Sequence, residues 1–92
     1  MIASFKSKRL ERFWTKDQTK QVDLRHVDRL DRILSLLDMA TAPDDMNVTG
    51  LGFHALTGDQ AGRYAVRVDK NWRVTFGWSD AGPIDVDYED YH

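Results

Sequence analysis

The spacing of apolar residues changes once along this chain, and that change limits the folds open to it. Up to Leu37 apolar positions recur every three or four residues, the period of one side of a helix. From Arg63 onward they recur every second residue, the period of one face of a strand. Leu10, Phe13 and Trp14 predict a short amphipathic helix. Leu24, Val27, Leu30, Ile33, Leu34 and Leu37 predict a longer one, with Asp23 placed as its N-cap and Asp28 and Arg32 as an outward i,i+4 pair. On that helix His26 falls on the solvent side, among Asp23, Arg25 and Asp28.

Three alternating runs follow. Tyr64, Val66 and Val68 make the first apolar face, Trp72, Val74, Phe76 and Trp78 the second, and Ile84, Val86 and Tyr88 the third. Turns at Asp69-Lys70-Asn71 and Asp80-Ala81-Gly82 separate them. Ile2, Ser4 and Phe5 add a short starting strand. Helices first and strands last predict an α+β fold: two N-terminal helices packed on a small, mainly antiparallel twisted sheet. At 92 residues the chain has room for one such domain, residues 1–92, and no room for a deep second core.

The sheet's other face is polar and patterned. Arg63 and Arg67 on one strand flank Arg73 and Thr75 on the next, which flank Asp85, Asp87 and Glu89 on the third; opposite charges on neighbouring strands attract. The net charge of −2 conceals a division, because residues 1–35 hold nine basic and five acidic side chains and the remainder four and ten. A basic N-terminal half bearing Lys6, Lys8, Arg9 and Arg12 suits phosphate groups, although the whole chain does not bind nucleic acid by charge alone. There is no cysteine, which excludes disulfides, thiolate metal sites and cysteine nucleophiles. No apolar run reads as a signal peptide or membrane span, so a cytoplasmic protein is expected.

Three histidines are present, and two carry chemical interest: His54, in a short run before Gly58, and His92, which follows Asp90 and Tyr91 at the end of the last strand. If that strand continues to the end, alternation sets Tyr91 on the face of Arg73. Histidine titrates near neutrality, arginine holds phosphate oxygens in a planar fork, and tyrosine stacks on bases or donates a proton. Together these groups suit cleavage of an RNA phosphodiester by its own 2′-oxygen, with no metal or other cofactor. Asp85, Asp87, Glu89 and Asp90 are dense enough to hold Mg²⁺, but their strand alternation opposite arginines and the lack of any metal-ligand spacing argue against a metal site.

The residue strings are also similar to those of a known family. Ser4-Phe5-Lys6, Pro43 followed by Asp45-Met46-Asn47, Phe53-His54, Asn71-Trp72-Arg73-Val74-Thr75-Phe76 and the ending Asp85-Val86-Asp87-Tyr88-Glu89-Asp90-Tyr91-His92 resemble the HigB toxins of the RelE/ParE superfamily, almost end to end. The resemblance implies a ribosome-dependent endoribonuclease that cuts messenger RNA. It also implies a HigA-like helix-turn-helix antitoxin as partner, with operator DNA bound only through that complex. Family functional positions map onto His54, Arg73, Asp90, Tyr91 and His92, while Arg63, Arg67, Lys6, Lys8, Arg9 and Arg12 are expected to meet RNA. The alternative is a toxin of the same fold that inhibits a target such as DNA gyrase without cutting. The chain departs from the family's His-Pro-Leu-Lys-Gly at His54-Ala55-Leu56-Thr57-Gly58. Thr57 has no charge, so phosphate stabilisation falls on Arg73, Arg63 or Arg67. An isoelectric point near 5.8 is a second departure, since many ribosome-directed toxins are basic.

Overall fold

The computed structural model describes residues 1–90. Tyr91 and His92, both expected at the site, lie outside the described residues. Helix α1 (Lys8–Lys16) begins at Ser7, whose hydroxyl accepts from the Leu10 N–H. It stops at Asp17, which takes the left-handed conformation (φ 52°) that closes helices, usually at glycine. Helix α2 (Val27–Met39) follows, and then a four-stranded antiparallel sheet in sequential order: β1 (His54–Ala55), β2 (Tyr64–Arg67), β3 (Trp72–Ser79) and β4 (Gly82–Asp90). Leu10, Phe13, Leu30, Ile33, Leu34 and Leu37 of the helices are buried against Val66, Val74, Phe76, Val86 and Tyr88 of the sheet. This is the α+β arrangement that the period change predicts. The starting segment is an edge attachment instead of a full strand. Phe5 bridges Val86 in parallel, with the Lys6 N–H bonded to the Val86 carbonyl and the Val86 N–H to that of Ser4.

Two expectations from the period fail at the start of α2. Residues Leu24–His26 form a 3₁₀ turn capped by Asp23, and the α-helix proper starts at Val27. A 3₁₀ turn winds by three residues instead of 3.6, so positions 24–26 are rotated off the helix stripe. Leu24 is therefore 76% exposed and His26 only 3%, the reverse of the expected placement. Nor do Asp28 and Arg32 come within ion-pair distance, although both are exposed.

Buried, His26 becomes a tie between distant segments. Its Nε2 lies 2.6 Å from Asp69 Oδ2 in the β2–β3 turn, and its Nδ1 lies 2.6 Å from the Tyr88 hydroxyl on β4. A carboxylate only accepts, so Nε2 carries the proton and Nδ1 takes the hydrogen of Tyr88. The other Asp69 oxygen accepts from the N–H groups of Asn71 and Trp72, which sets the turn. Trp72 stacks 4.5 Å from Tyr88, and the Arg9 guanidinium lies over both rings, at 5.2 and 4.9 Å. Burial raises the Tyr88 phenol above its ordinary value, so it remains a donor at neutral pH.

A bulge in β4 decides which residues face which way. Thr75 pairs with Asp87 and Gly77 with Ile84, so Asp85 and Val86 together oppose Phe76, and Asp85 turns through φ 50°. The extra residue corrects the expected alternation: Ile84 leaves the apolar face shared by Val86 and Tyr88 and packs instead beside Gly77 on the opposite face. A Cβ at Gly77 would come within 3.2 Å of Ile84, which accounts for the glycine. Asp85 does not set its carboxylate against an arginine as expected. Its carbonyl, not its carboxylate, accepts from Arg63, at 2.9 Å.

Tyr88→Phe should lower stability by about 1–3 kcal/mol, because Nδ1 of a buried imidazole loses its partner; thermal or urea unfolding measures this. The hydrogen bond from His26 and the N–H groups of Asn71 and Trp72 hold the Asp69 carboxyl below its ordinary value, so the stability it adds is present above the usual carboxylate range and is lost as pH falls. Unfolding midpoints measured from pH 6 downward should therefore fall more gently in Asp69→Asn than in the wild type. The slope should not vanish, because Asp23, held low by Arg25, and Asp45, held low by the Thr41 N–H, behave in the same way.

Candidate active site

The sheet face turned away from the helices gathers several of the candidate residues. Register aligns His54 with Ala65, Ala65 with Thr75 and Thr75 with Asp87, while in the neighbouring row Arg67 stands opposite Arg73 and Arg73 opposite Glu89. His54 and Arg73, from the first and third strands, are thus brought to one surface together with Arg67 and Glu89.

His54 is exposed, with one hydrogen-bond anchor among the described residues. Its Nδ1 lies 3.0 Å from the Gly52 carbonyl oxygen. A carbonyl only accepts, so Nδ1 carries the hydrogen and Nε2 presents its lone pair. Gly52 has φ 61°, a left-handed conformation that costs glycine little and turns its carbonyl to the imidazole. The loop is fixed on its far side as well. The Arg67 N–H donates to Leu51 O at 2.7 Å, and Arg29 of α2 donates to the carbonyls of both Gly50 and Arg67.

The three arginines of the sheet differ in how they are held. Arg63 crosses the face and donates to Thr75 Oγ1 at 3.0 Å as well as to Asp85 O, which accounts for a threonine only 1% exposed on a nominally open surface. Arg73 is partly buried and directs Nε and Nη2 to Glu89 Oε1, each at 3.0 Å. Arg67 is exposed, and its guanidinium lies along Gly52, with Cζ and Nε 3.8 Å from where a Cβ would stand. Asp90 ends β4 opposite Trp72, so the pleat assigns it to the side of Trp72 and not to that of Arg73.

The basic residues of the N-terminal half form a second group. Arg9 is committed to the rings of Trp72 and Tyr88 and to the Tyr88 carbonyl; Lys8 lies 3.8 Å from Glu11; Lys6 and Arg12 are exposed. Arg9, Arg12, Gln18, Lys20 and Gln21 line a cavity of about 330 Å³ beside α1. Lys20 is an addition to the residues that the sequence suggests; it lies in a polar stretch without periodicity, so nothing in the pattern sets it apart. The burial of His26 is equally hidden, since three residues are too few to reveal a 3₁₀ period. Among the described residues no three histidine, aspartate or glutamate side chains converge as metal ligands, and no helix is long and apolar enough to cross a membrane.

Comparison with known proteins identifies the family and the fold. Residues 3–92 match a family model described as a RelE-like toxin of the type II toxin-antitoxin system HigB. The chain is 37% identical over 92 residues, the whole of both sequences, to "Endoribonuclease HigB" of Proteus vulgaris. It is 33% identical to "Toxin HigB-1" of Vibrio cholerae serotype O1 (strain ATCC 39315 / El Tor Inaba N16961), covering all of this chain and 98% of that one. Among solved structures, a chain of the YoeB-YefM complex from Staphylococcus aureus shares the fold with a TM-score of 0.59 at 18% identity, covering 100% of this chain and 98% of that one.

If Thr75 serves mainly to hold Arg63, Thr75→Val should keep the shape and remove one hydrogen bond, lowering stability by about 0.5–1.5 kcal/mol. Arg63→Ala, in which the Asp85 carbonyl is also left unmatched, should cost more; chemical denaturation of the two variants measures the difference.

Proposed function

Because the chain belongs to the HigB family of RelE-like toxins of type II toxin-antitoxin systems, we propose that it acts as an endoribonuclease on messenger RNA held by the ribosome, by acid-base chemistry that needs no metal. The observation that carries this reading is the state of His54: one ring nitrogen tied to the Gly52 carbonyl, the other open, on the same sheet face as Arg73. That is the arrangement required of a general base.

The reaction follows from these groups. His54 Nε2 accepts the proton of a ribose 2′-hydroxyl, and the 2′-oxygen attacks the adjacent phosphorus. A 2′-oxygen to phosphorus bond forms and the bond from phosphorus to the 5′-oxygen breaks, leaving a 2′,3′-cyclic phosphate and a 5′-hydroxyl. The departing oxygen takes a proton from Tyr91 or His92, which follow Asp90 in the chain. Arg73 offsets the negative charge that grows on the phosphate, steadied by Glu89. Lys6, Arg12 and Lys20, around α1, are suited to ribosomal or messenger RNA phosphates. A helix-turn-helix antitoxin of the HigA type is the expected partner, meeting operator DNA for the pair, and the cytoplasm is the expected location.

His54→Ala should lower cleavage of ribosome-bound message by about 10²–10⁴, the usual contribution of a general base, with unchanged unfolding. Removing Tyr91 and His92 should cost a similar factor. Primer-extension mapping of the cut sites, with EDTA added to the purified toxin before it meets intact ribosomes, reads both effects. Activity lost to chelation and regained when Mg²⁺ is returned to the toxin alone would contradict the metal-free mechanism. A wild type that arrests growth while leaving messenger RNA whole would favour a non-cutting inhibitor.

A further inference from the structure

The chain that follows α1 folds back on the helix it has just left. Asp17 takes the left-handed conformation, and its N–H and that of Gln18 both donate to the Arg12 carbonyl. Val22, buried in the core, anchors the returning segment, with its own N–H on the Thr19 carbonyl. Gln18, Lys20 and Gln21 are thereby set against Arg9 and Arg12, neighbours on one side of α1, and these five side chains line the cavity of about 330 Å³. That volume is large for a lone phosphate or carboxylate and falls in the range of sites that hold a small organic molecule.

Nearly every polar side-chain group in the lining is a donor. Arg9, Arg12 and Lys20 are cations and cannot accept. The Gln21 side-chain carbonyl is taken by Arg12 Nη1 at 3.0 Å, which leaves that residue only its amide N–H groups to offer. Among the described residues no carboxylate comes within ion-pair distance of Arg9, Arg12 or Lys20, and Asp23, just beyond, is matched by Arg25. The bond to Gln21 also fixes the Arg12 guanidinium by one terminal nitrogen, so that its other edge, Nε with Nη2, remains an open fork. Arg9 lies over the Trp72 and Tyr88 rings on the helix side of the sheet, so the sheet stands between this cavity and the face that carries His54 and Arg73.

A ligand that matches such a lining is anionic and presents acceptors. Guanine has two, O6 and N7, along one edge at the spacing of an arginine fork, whereas adenine places an amino donor where guanine has O6. A base enters a cavity only when it is unstacked. We infer that the cavity beside α1 binds one guanine nucleotide, free or as an unpaired residue of RNA, with Arg12 on O6 and N7 of the base and Lys20 and Arg9 on the phosphate. An acidic protein side chain would match the charge but leave most of the volume empty. The inference rests on the reading of the chain as an RNA-directed toxin and narrows the part given there to Arg12, from a phosphate contact to a base contact.

Titration of the purified toxin, followed by amide resonances, tests it. GMP should move the signals of Arg12 and of residues 18–21, leave those of His54 and Arg73 in place, and bind about five- to hundredfold more tightly than AMP, the discrimination that one arginine fork provides. Arg12→Lys keeps the charge without the fork and should bind both nucleotides with no preference, while Lys20→Ala should weaken both by the same factor. A short 2′-O-methyl RNA with one guanosine among adenosines should move the same signals more than an all-adenosine strand if the ligand is RNA; GMP binding with no difference between the strands would assign the site to a free nucleotide. Equal affinity for GMP and AMP in the wild type, or a guanine preference kept in Arg12→Lys, would overturn the proposal. So would a glutamate-rich peptide that displaces GMP at a lower concentration than AMP does, which would make the cavity a protein docking point. No arm depends on cleavage, so guanine-selective binding by a toxin that leaves messenger RNA whole would refute the nuclease reading and preserve this site.

Discussion

A buried imidazole holds this small domain in register. His26 is bonded at one nitrogen to the β2–β3 turn and at the other to β4, and it stands on the turn that leads into α2. A chain of this size has little apolar surface to spend, so a fully matched polar tie between elements far apart in sequence specifies one arrangement where hydrophobic contact alone would permit sliding. Trp72 and Tyr88 stack beside it, and Arg9 brings α1 to the same place. With the end of the sheet pinned in this way, Arg73 and Glu89, one residue beyond Trp72 and Tyr88, are held on the opposite face.

The two faces of the sheet thus have separate tasks. The helix side carries the packing, with Val66, Val74 and Phe76 fully buried. The other side carries charge sorted by function: Arg63 laid flat as a structural cross-brace, Arg73 braced by Glu89, and Arg67 left exposed over Gly52. The bulge at Asp85 contributes to the sorting, since the shift it makes turns a carbonyl toward Arg63 and sends Ile84 to cover Gly77. A rigid sheet is a suitable base for a site that works by position, because neighbouring strands set the separation of its groups to within the spacing of a ladder.

Much of this was legible from the residues. The change of period at Arg63 carries the α+β class, and the strand motifs carry the family. The surface that unites His54 with Arg73 follows from the alternation once strand order is sequential. The misreadings fall where a local departure is shorter than the period used to detect it: one 3₁₀ turn misplaces Leu24 and His26, and one extra residue in β4 misplaces Ile84 and Asp85.

The sequence by itself determined the apolar patterns, and with them which segments are helical, which are extended and which chemical groups are available, because those follow from the spacing of side chains along a single element. Only the tertiary structure decided how each of three arginines is held and which histidine is buried. Those roles depend on contacts between residues as distant as Arg63 and Asp85, or His26 and Tyr88. Such contacts are set by the register of whole strands and by turns three residues long, and no periodicity records them.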